Sequence, residues 1–397
     1  MRQSALLLLC LVACNENPAP TPAPAAPAST LAIASVSAPS IAPRAPSTGL
    51  GASEFARLFK ELSEPDQYFF SNNYVSNETS YLQVAEALER RAQPGAAYIG
   101  VGPEQNFTYI AILKPKLSFI VDIRRGNAVQ QLLYKAIFHE ASSRSHFIHL
   151  LLGKPFDKHG DPGAKGGIDE VLKHVATSKA DAKVYRESHA RFLGRIEKEF
   201  GVPLSDKDEQ TLSETHKAFF DKQLDLRFEL HGKNFRDYPS LAELLSAKDP
   251  GGRQRGFLAT EDAFRTVQLL QRQHRIIPVV GDFAGPHALK AVAAELRRSD
   301  VPVAAFYVSN VEQYVMEPDK WKAYVSNIDA LPTNEKSLFI RCYLDQGKKH
   351  PQQLAGHRTA SVLQTFDHFR WKQRSKGYGS FWQLATDGVL DSDSGAP

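Results

Sequence analysis

Gly100 and Gly102 sit in the stretch YIGVGPEQNF, Asp122 follows Gly102 by twenty residues, and Asp282 follows Gly281 in a later apolar run. Glycines at the end of a strand let backbone approach a ligand at a helix N-terminus, and an acid about twenty residues on takes ribose hydroxyls. The chemistry these residues could do is therefore nucleoside binding. Glu104, in the same turn, would repel a pyrophosphate, which argues against NAD. A second group, His139, Glu140, His146 and His149, crowds into HEASSRSHFIH. It lacks the His-Glu-x-x-His zinc pattern, so it reads as structural histidines near a helix end, with no metal. Neither a Gly-x-Ser-x-Gly elbow nor a phosphate-binding Gly-x-x-x-x-Gly-Lys loop occurs, and the catalytic residues stay unassigned.

The elements that must position these residues follow from hydrophobic spacing. SNETSYLQVAEALERR places Tyr81, Val84, Ala85 and Leu88 on one helix face, with Ser76 or Asn77 as its cap. Residues 96–101 read as a buried strand, Pro103 opens a helix that Lys114-Pro115 ends, LSFIVDI is a second strand, and AVQQLLYKAIFHEA is a helix. Strand and helix alternate again in IIPVVGDF, PHALKAVAAELRRS and VPVAAFYVSN, with KSLFIRCYL as a further strand. Strands apolar on both faces belong to a sheet covered by helices on both sides. The expected class is thus α/β, a doubly wound and mostly parallel sheet with a helical insertion. Residues 49–154 form its first half, 155–275 the insertion, 276–386 the second half, and 387–397 a disordered tail. A parallel sheet brings Asp122 and Asp282 to one carboxyl rim, at solvent-facing strand ends. Asn72, Asn73 and Tyr74, just before the first helix, could lie over the same edge.

The arrangement resembles the class I S-adenosylmethionine-dependent methyltransferase domain over roughly residues 68–150 and 270–345. The blocks SNNYVSNETSYLQ, VGPEQNF, VVGDFAGP and FYVSNVEQYV also look like a group of uncharacterised bacterial proteins of this architecture. The resemblance implies that Gly100 and Gly102 form the cofactor turn, that Asp122 holds the ribose and that Asp282 lies beside the adenine. Ser309, Asn310 and Glu312, where the fourth strand ends, would then face substrate, as Asn73 and Tyr74 would over the same edge. Two positions depart from the family. Glu104 stands where a third glycine is common, and Tyr98 where an acid often precedes the first glycine. Glu104 could replace that acid by pairing with the amino group of S-adenosylmethionine.

The N-terminus points elsewhere in the cell. MRQSALLLLCLVAC joins Arg2 to an apolar run too short to span a bilayer, the form of a signal peptide over residues 1–13. Leu11-Val12-Ala13-Cys14 resembles the bacterial lipobox, which implies cleavage before Cys14 and its lipidation. Asn15, rather than aspartate, after the cysteine implies the outer membrane. Residues 14–48, rich in Ala, Pro, Ser and Thr, act as a semi-rigid spacer. Of the 3 cysteines only Cys342 then remains, in an apolar strand, where a buried inert thiol is expected. With Lys+Arg 48 against Asp+Glu 44 there is no electrostatic footprint for nucleic acid.

Two functions from different classes follow. One is a membrane-anchored, methyltransferase-like protein binding S-adenosylmethionine, for which few catalytic side chains are needed because methyl transfer depends mainly on alignment. The other is a non-catalytic envelope lipoprotein that uses the same fold to bind a small molecule or a protein. Fold alone does not choose between them.

Overall fold

Six strands build the main sheet: β1 (Ala97–Gly100), β2 (Leu117–Asp122), β5 (Ile276–Val280), β6 (Val303–Ser309), β7 (Leu338–Leu344) and β8 (Thr359–Thr365). A two-residue hairpin, β3 (Glu229–Leu230) with β4 (Lys233–Asn234), lies apart from it. The structure is a computed structural model that describes residues 49–230, 233–234 and 238–391. The signal peptide, Cys14 and the spacer therefore lie outside the described residues.

The sheet order is β5-β2-β1-β6-β7-β8. All pairs are parallel except β7 with β8. Chain order runs outward in both directions from β1, so the connections diverge between β1 and β6. This is a mixed α/β fold with a largely parallel sheet, compatible with a Rossmann-like arrangement. Each residue of β1, β2 and β5 is buried, as strands covered on both faces must be. Pro278 lies in the middle of β5. Its missing donor is tolerated because β5 is an edge strand.

Fourteen α-helices are found among the described residues. α1 (Ala52–Glu61) packs on β5, and α2 (Ala85–Arg90) on α3 (Gln105–Leu113). α4 (Arg125–Glu140) follows β2 and packs on β2 and β5. Next come α5 (Arg144–Leu151), α6 (Ile168–Thr177), α7 (Ala182–Gly194), α8 (Asp206–Lys222) and α9 (Leu241–Ser246). α10 (Glu261–Arg272) leads into β5 and packs on α3 and α4, so the last helix of the expected insertion belongs to the sheet's own layer. α11 (Ala288–Arg298) connects β5 to β6 and packs with α12 (Pro318–Ala330). α13 (Phe366–Ser375) and α14 (Phe381–Thr386) close the chain against β8 and β7.

Three local expectations need correction. The helix expected from Ser76 begins only at Ala85. Ser76 N–H is donated to Glu104, Glu78 accepts from Tyr307 and Ser309, and Ser80 Oγ bonds Thr359 and Ser361, so tertiary bonds hold this stretch out of a helix. Pro103 is not the first helical residue, since α3 starts at Gln105 with Glu104 as its N-cap. The tail, expected to be disordered from 387, runs beside β8 in its described part. Val389 bridges Gln364, and Leu390 N–H is donated to the Leu363 carbonyl at 2.8 Å.

Candidate functional site: the carboxyl edge of the sheet

The turn after β1 is closed from within. Asn106 Nδ2 donates to the carbonyls of Val101, Gly102 and Pro103 at 2.9, 3.2 and 2.8 Å, and Tyr98 OH donates to Asn106 Oδ1 at 2.8 Å. A Cβ at position 100 would lie 2.0 Å from Asn106 Oδ1, so Gly100 is required by this internal bond. Gly102 has φ +81°, a left-handed turn position where glycine carries no steric cost. Glu104 is buried rather than aimed at solvent. Its Oε1 accepts from Ser76 N at 3.1 Å while Oε2 has no hydrogen-bond partner, and burial pushes its pKa up to about 7.

The two acids do come to one rim, for Asp122 pairs in register with Val280 and its carbonyl accepts from Gly281 N at 2.8 Å. Their surroundings differ from expectation. Asp122 is 5% exposed and not solvent-facing. Arg124 Nε meets its Oδ1 at 3.1 Å and Arg124 Nη2 its Oδ2 at 3.0 Å, a two-point ion pair in a site where both partners are buried. Asp282 turns into its own loop, where Oδ1 accepts from Ala284 N at 2.9 Å. The neighbouring N-terminus of α11 is met by Glu64. That carboxylate accepts from Asp282 N, His287 N and Ala288 N at 3.1, 2.7 and 2.7 Å. Backbone donors at a helix start favour an anion, and here the chain supplies its own.

Residues 64–78 form a strap across this edge. Glu64 N donates to Val280 O at the end of β5, and Gln67 N to Ile123 O just past β2. Arg124 Nη1 then donates to the carbonyls of Ser71, at 3.1 Å, and Asn72. Asn73 has φ +53°, and its Nδ2 lies 3.6 Å from where a Cβ on Gly102 would stand. Tyr74, half-buried, accepts from Asn72 Nδ2 through its hydroxyl and from Gln130 Nε2 through its carbonyl. Phe69 and Phe70 of the strap stack at 4.1 Å and both face Tyr314, which follows β6. Thus Asn73 and Tyr74 do lie at the edge, as part of its cover.

Beyond the strap, the polar run after β6 divides. Ser309 Oγ donates to Glu78 and stands 3.3 Å from Asn310 Oδ1. Glu312 points the other way and is fully buried, held by Arg341 and by Tyr324 OH at 2.7 Å, so it belongs to the core. Three residues of the edge were not singled out by sequence reasoning: Glu64, Glu78 and Arg124. The last had a signal, because an arginine two residues past a strand-ending acid can fold back onto it.

The histidines do not converge. His139 Nε2 pairs with Gln271 O, His146 Nδ1 with Ser142, and His149 Nδ1 with Ser145 O. Burial lowers the pKa of His139 to about 3. Among the described residues no group of three or more His, Cys, Asp or Glu side chains is disposed to hold a metal. Cys342 is buried, and burial, helped by the facing Glu78 carboxylate, pushes its thiol well up. A cavity of about 10 Å³, room for roughly one water, is lined by Tyr81, Glu104, Gln105 and Thr108. It abuts neither Asp122 nor Asp282.

One family model matches residues 73–391, and it is described as a domain of unknown function, DUF7790. No curated protein is significantly similar. The match takes in the whole main sheet with Glu78, Asp122, Arg124 and Ser309, and leaves out α1 and Glu64. Spanning four-fifths of the 397 residues, it shows that the chain belongs to the DUF7790 family.

Proposed function

We propose that the chain is a lipid-anchored envelope protein whose α/β domain serves to bind a small molecule or a protein, and transfers no methyl group. One observation carries this reading. Asp122, the acid that would hold a ribose, is paired at two points with Arg124, and the same guanidinium fastens the strap. Recognition of S-adenosylmethionine would have to break a buried ion pair, which costs about 3–5 kcal/mol. Asn106 behind Gly100 and Glu64 at the start of α11 likewise occupy places a cofactor would use. As arranged, these residues do not fit that cofactor.

The methyltransferase-like reading keeps one observation in its favour. The sheet order reverses beside the Gly102 turn, where open α/β sheets bind ligands. Titration calorimetry of the purified protein with S-adenosylmethionine, its demethylated product and NAD separates the two, and no saturable heat is expected from any of the three. The anchor is a separate proposal resting on Cys14 and the spacer after it. Cells fed a fatty-acid probe should label the wild type and not Cys14→Ser; equal labelling of both would remove the anchor.

A further inference from the structure

We propose that Ser309 and Glu78 form a nucleophile and general-base pair for acyl transfer at the end of β6. Ser309 has φ +52°, a conformation uncommon outside glycine, asparagine, aspartate and histidine, which persists only where the surroundings hold it. The register of β6 against β7 shifts between Tyr307 and Ser309, and such bulges re-aim side chains. A 3-10 turn, Val311–Tyr314, begins two residues later. A strand, a sharp left-handed turn and a helical turn are the means by which acyl-transfer folds present a serine hydroxyl. Here Tyr307 and Val311 stand where that motif has its two glycines, so the glycine-based motif does not find it.

The re-aimed hydroxyl meets a base. Ser309 Oγ donates to Glu78 Oε1, and Tyr307 OH donates to the same oxygen at 2.6 Å. Gln105 Nε2 fixes that tyrosine in turn, at 2.7 Å. Glu78 Oε2 is buried without a hydrogen-bond partner, which leaves the carboxylate capacity to accept a proton. Burial raises the Glu78 pKa, against the hydrogen bonds from Ser309, Tyr307 and Cys342, so it is a stronger base than a free carboxylate. Ser309 itself is half-buried, on the more accessible side of the pair. A serine that only satisfied Glu78 would not need a left-handed backbone to do so.

The substrate class is an activated carboxylic ester. Ser309 Oγ bonds the carbonyl carbon while its proton passes to Glu78. The bond to the leaving oxygen breaks, and Glu78 returns the proton to that oxygen. Water then attacks the acyl-serine, Glu78 takes a proton from it, and the acid leaves as the Ser309 hydroxyl is restored. This chemistry is independent of nucleoside binding, so it can fail while the calorimetry behaves as expected.

The test uses the full chain and a fluorophosphonate probe, with adducts mapped by mass spectrometry. Reaction forms a bond from Oγ to phosphorus and expels fluoride. The expected result is an adduct at Ser309, absent from Ser309→Ala and formed at least about tenfold more slowly by Glu78→Gln. Glu78→Asp, which withdraws the carboxylate by one methylene, serves as a second variant if the glutamine protein does not fold by circular dichroism. No adduct on the wild type, an adduct on another serine, or wild-type rates in whichever Glu78 variant folds would overturn the proposal.

Discussion

Replacing Arg341 by leucine should destabilise the protein by about 3–5 kcal/mol, because it strands a buried carboxylate. Arg341 and Glu312 are both 0% exposed. The guanidinium reaches Glu312 through Nε and through Nη2 at 2.9 Å, and Nη1 donates to Gln364 Oε1 at 2.8 Å. Tyr324 OH takes Glu312 Oε1 at 2.7 Å, and the Phe339 ring lies 4.3 Å beneath the guanidinium carbon. The unit ties the loop after β6 to β7 and β8. Denaturant unfolding should show the midpoint falling with the slope unchanged. The double replacement Glu312→Leu with Arg341→Leu should cost less than the two singles together, by about 1 kcal/mol or more. Additive costs, or a single cost below about 1 kcal/mol, would place this pair at the surface and return Glu312 to the substrate side.

Glu104 should make stability fall as pH rises from about 4.5 to about 7. Its pKa is raised on folding, so the folded protein holds the proton more tightly than the unfolded chain. The contribution is complete below the unfolded value of 4.5 and is lost as pH climbs to the folded value of about 7. The difference corresponds to roughly 3 kcal/mol. Glu104→Gln keeps an acceptor for Ser76 N–H and removes the ionisation. Its unfolding free energy should therefore vary less between these limits, and it should exceed the wild type at pH 8. Parallel pH profiles for the two proteins would mean that Glu104 is hydrated in solution.

Much of the sheet was legible because its strands are short apolar runs ended by glycine, proline or acid. Gly100, Asp122 and Ser309 each close a strand where their spacing places them. The first helix misled because Tyr81, Val84, Ala85 and Leu88 do all face inward while only the second half of the run coils. Helical spacing reports burial, and the bonds of Ser76, Glu78 and Ser80 to distant strands were invisible to it. The same limit applies at the site. Asp122 reached its expected rim, but nothing local said that Arg124 would turn back onto it or that Glu64, more than two hundred residues before His287 in sequence, would cap α11. Glu78 falls within the helical spacing that follows Ser76, and that spacing carries no trace of its meeting with Ser309.

The chain's own strap and Arg124 occupy the edge where a nucleoside would bind. Titration of wild type, Asp122→Asn and Asp282→Asn with S-adenosylmethionine, its product and NAD tests this most directly. None of the three should bind the wild type saturably. Micromolar binding by the wild type, weakened ten- to a hundredfold (about 1.5–3 kcal/mol) by Asp122→Asn, would contradict this and make Asp122 the ribose ligand.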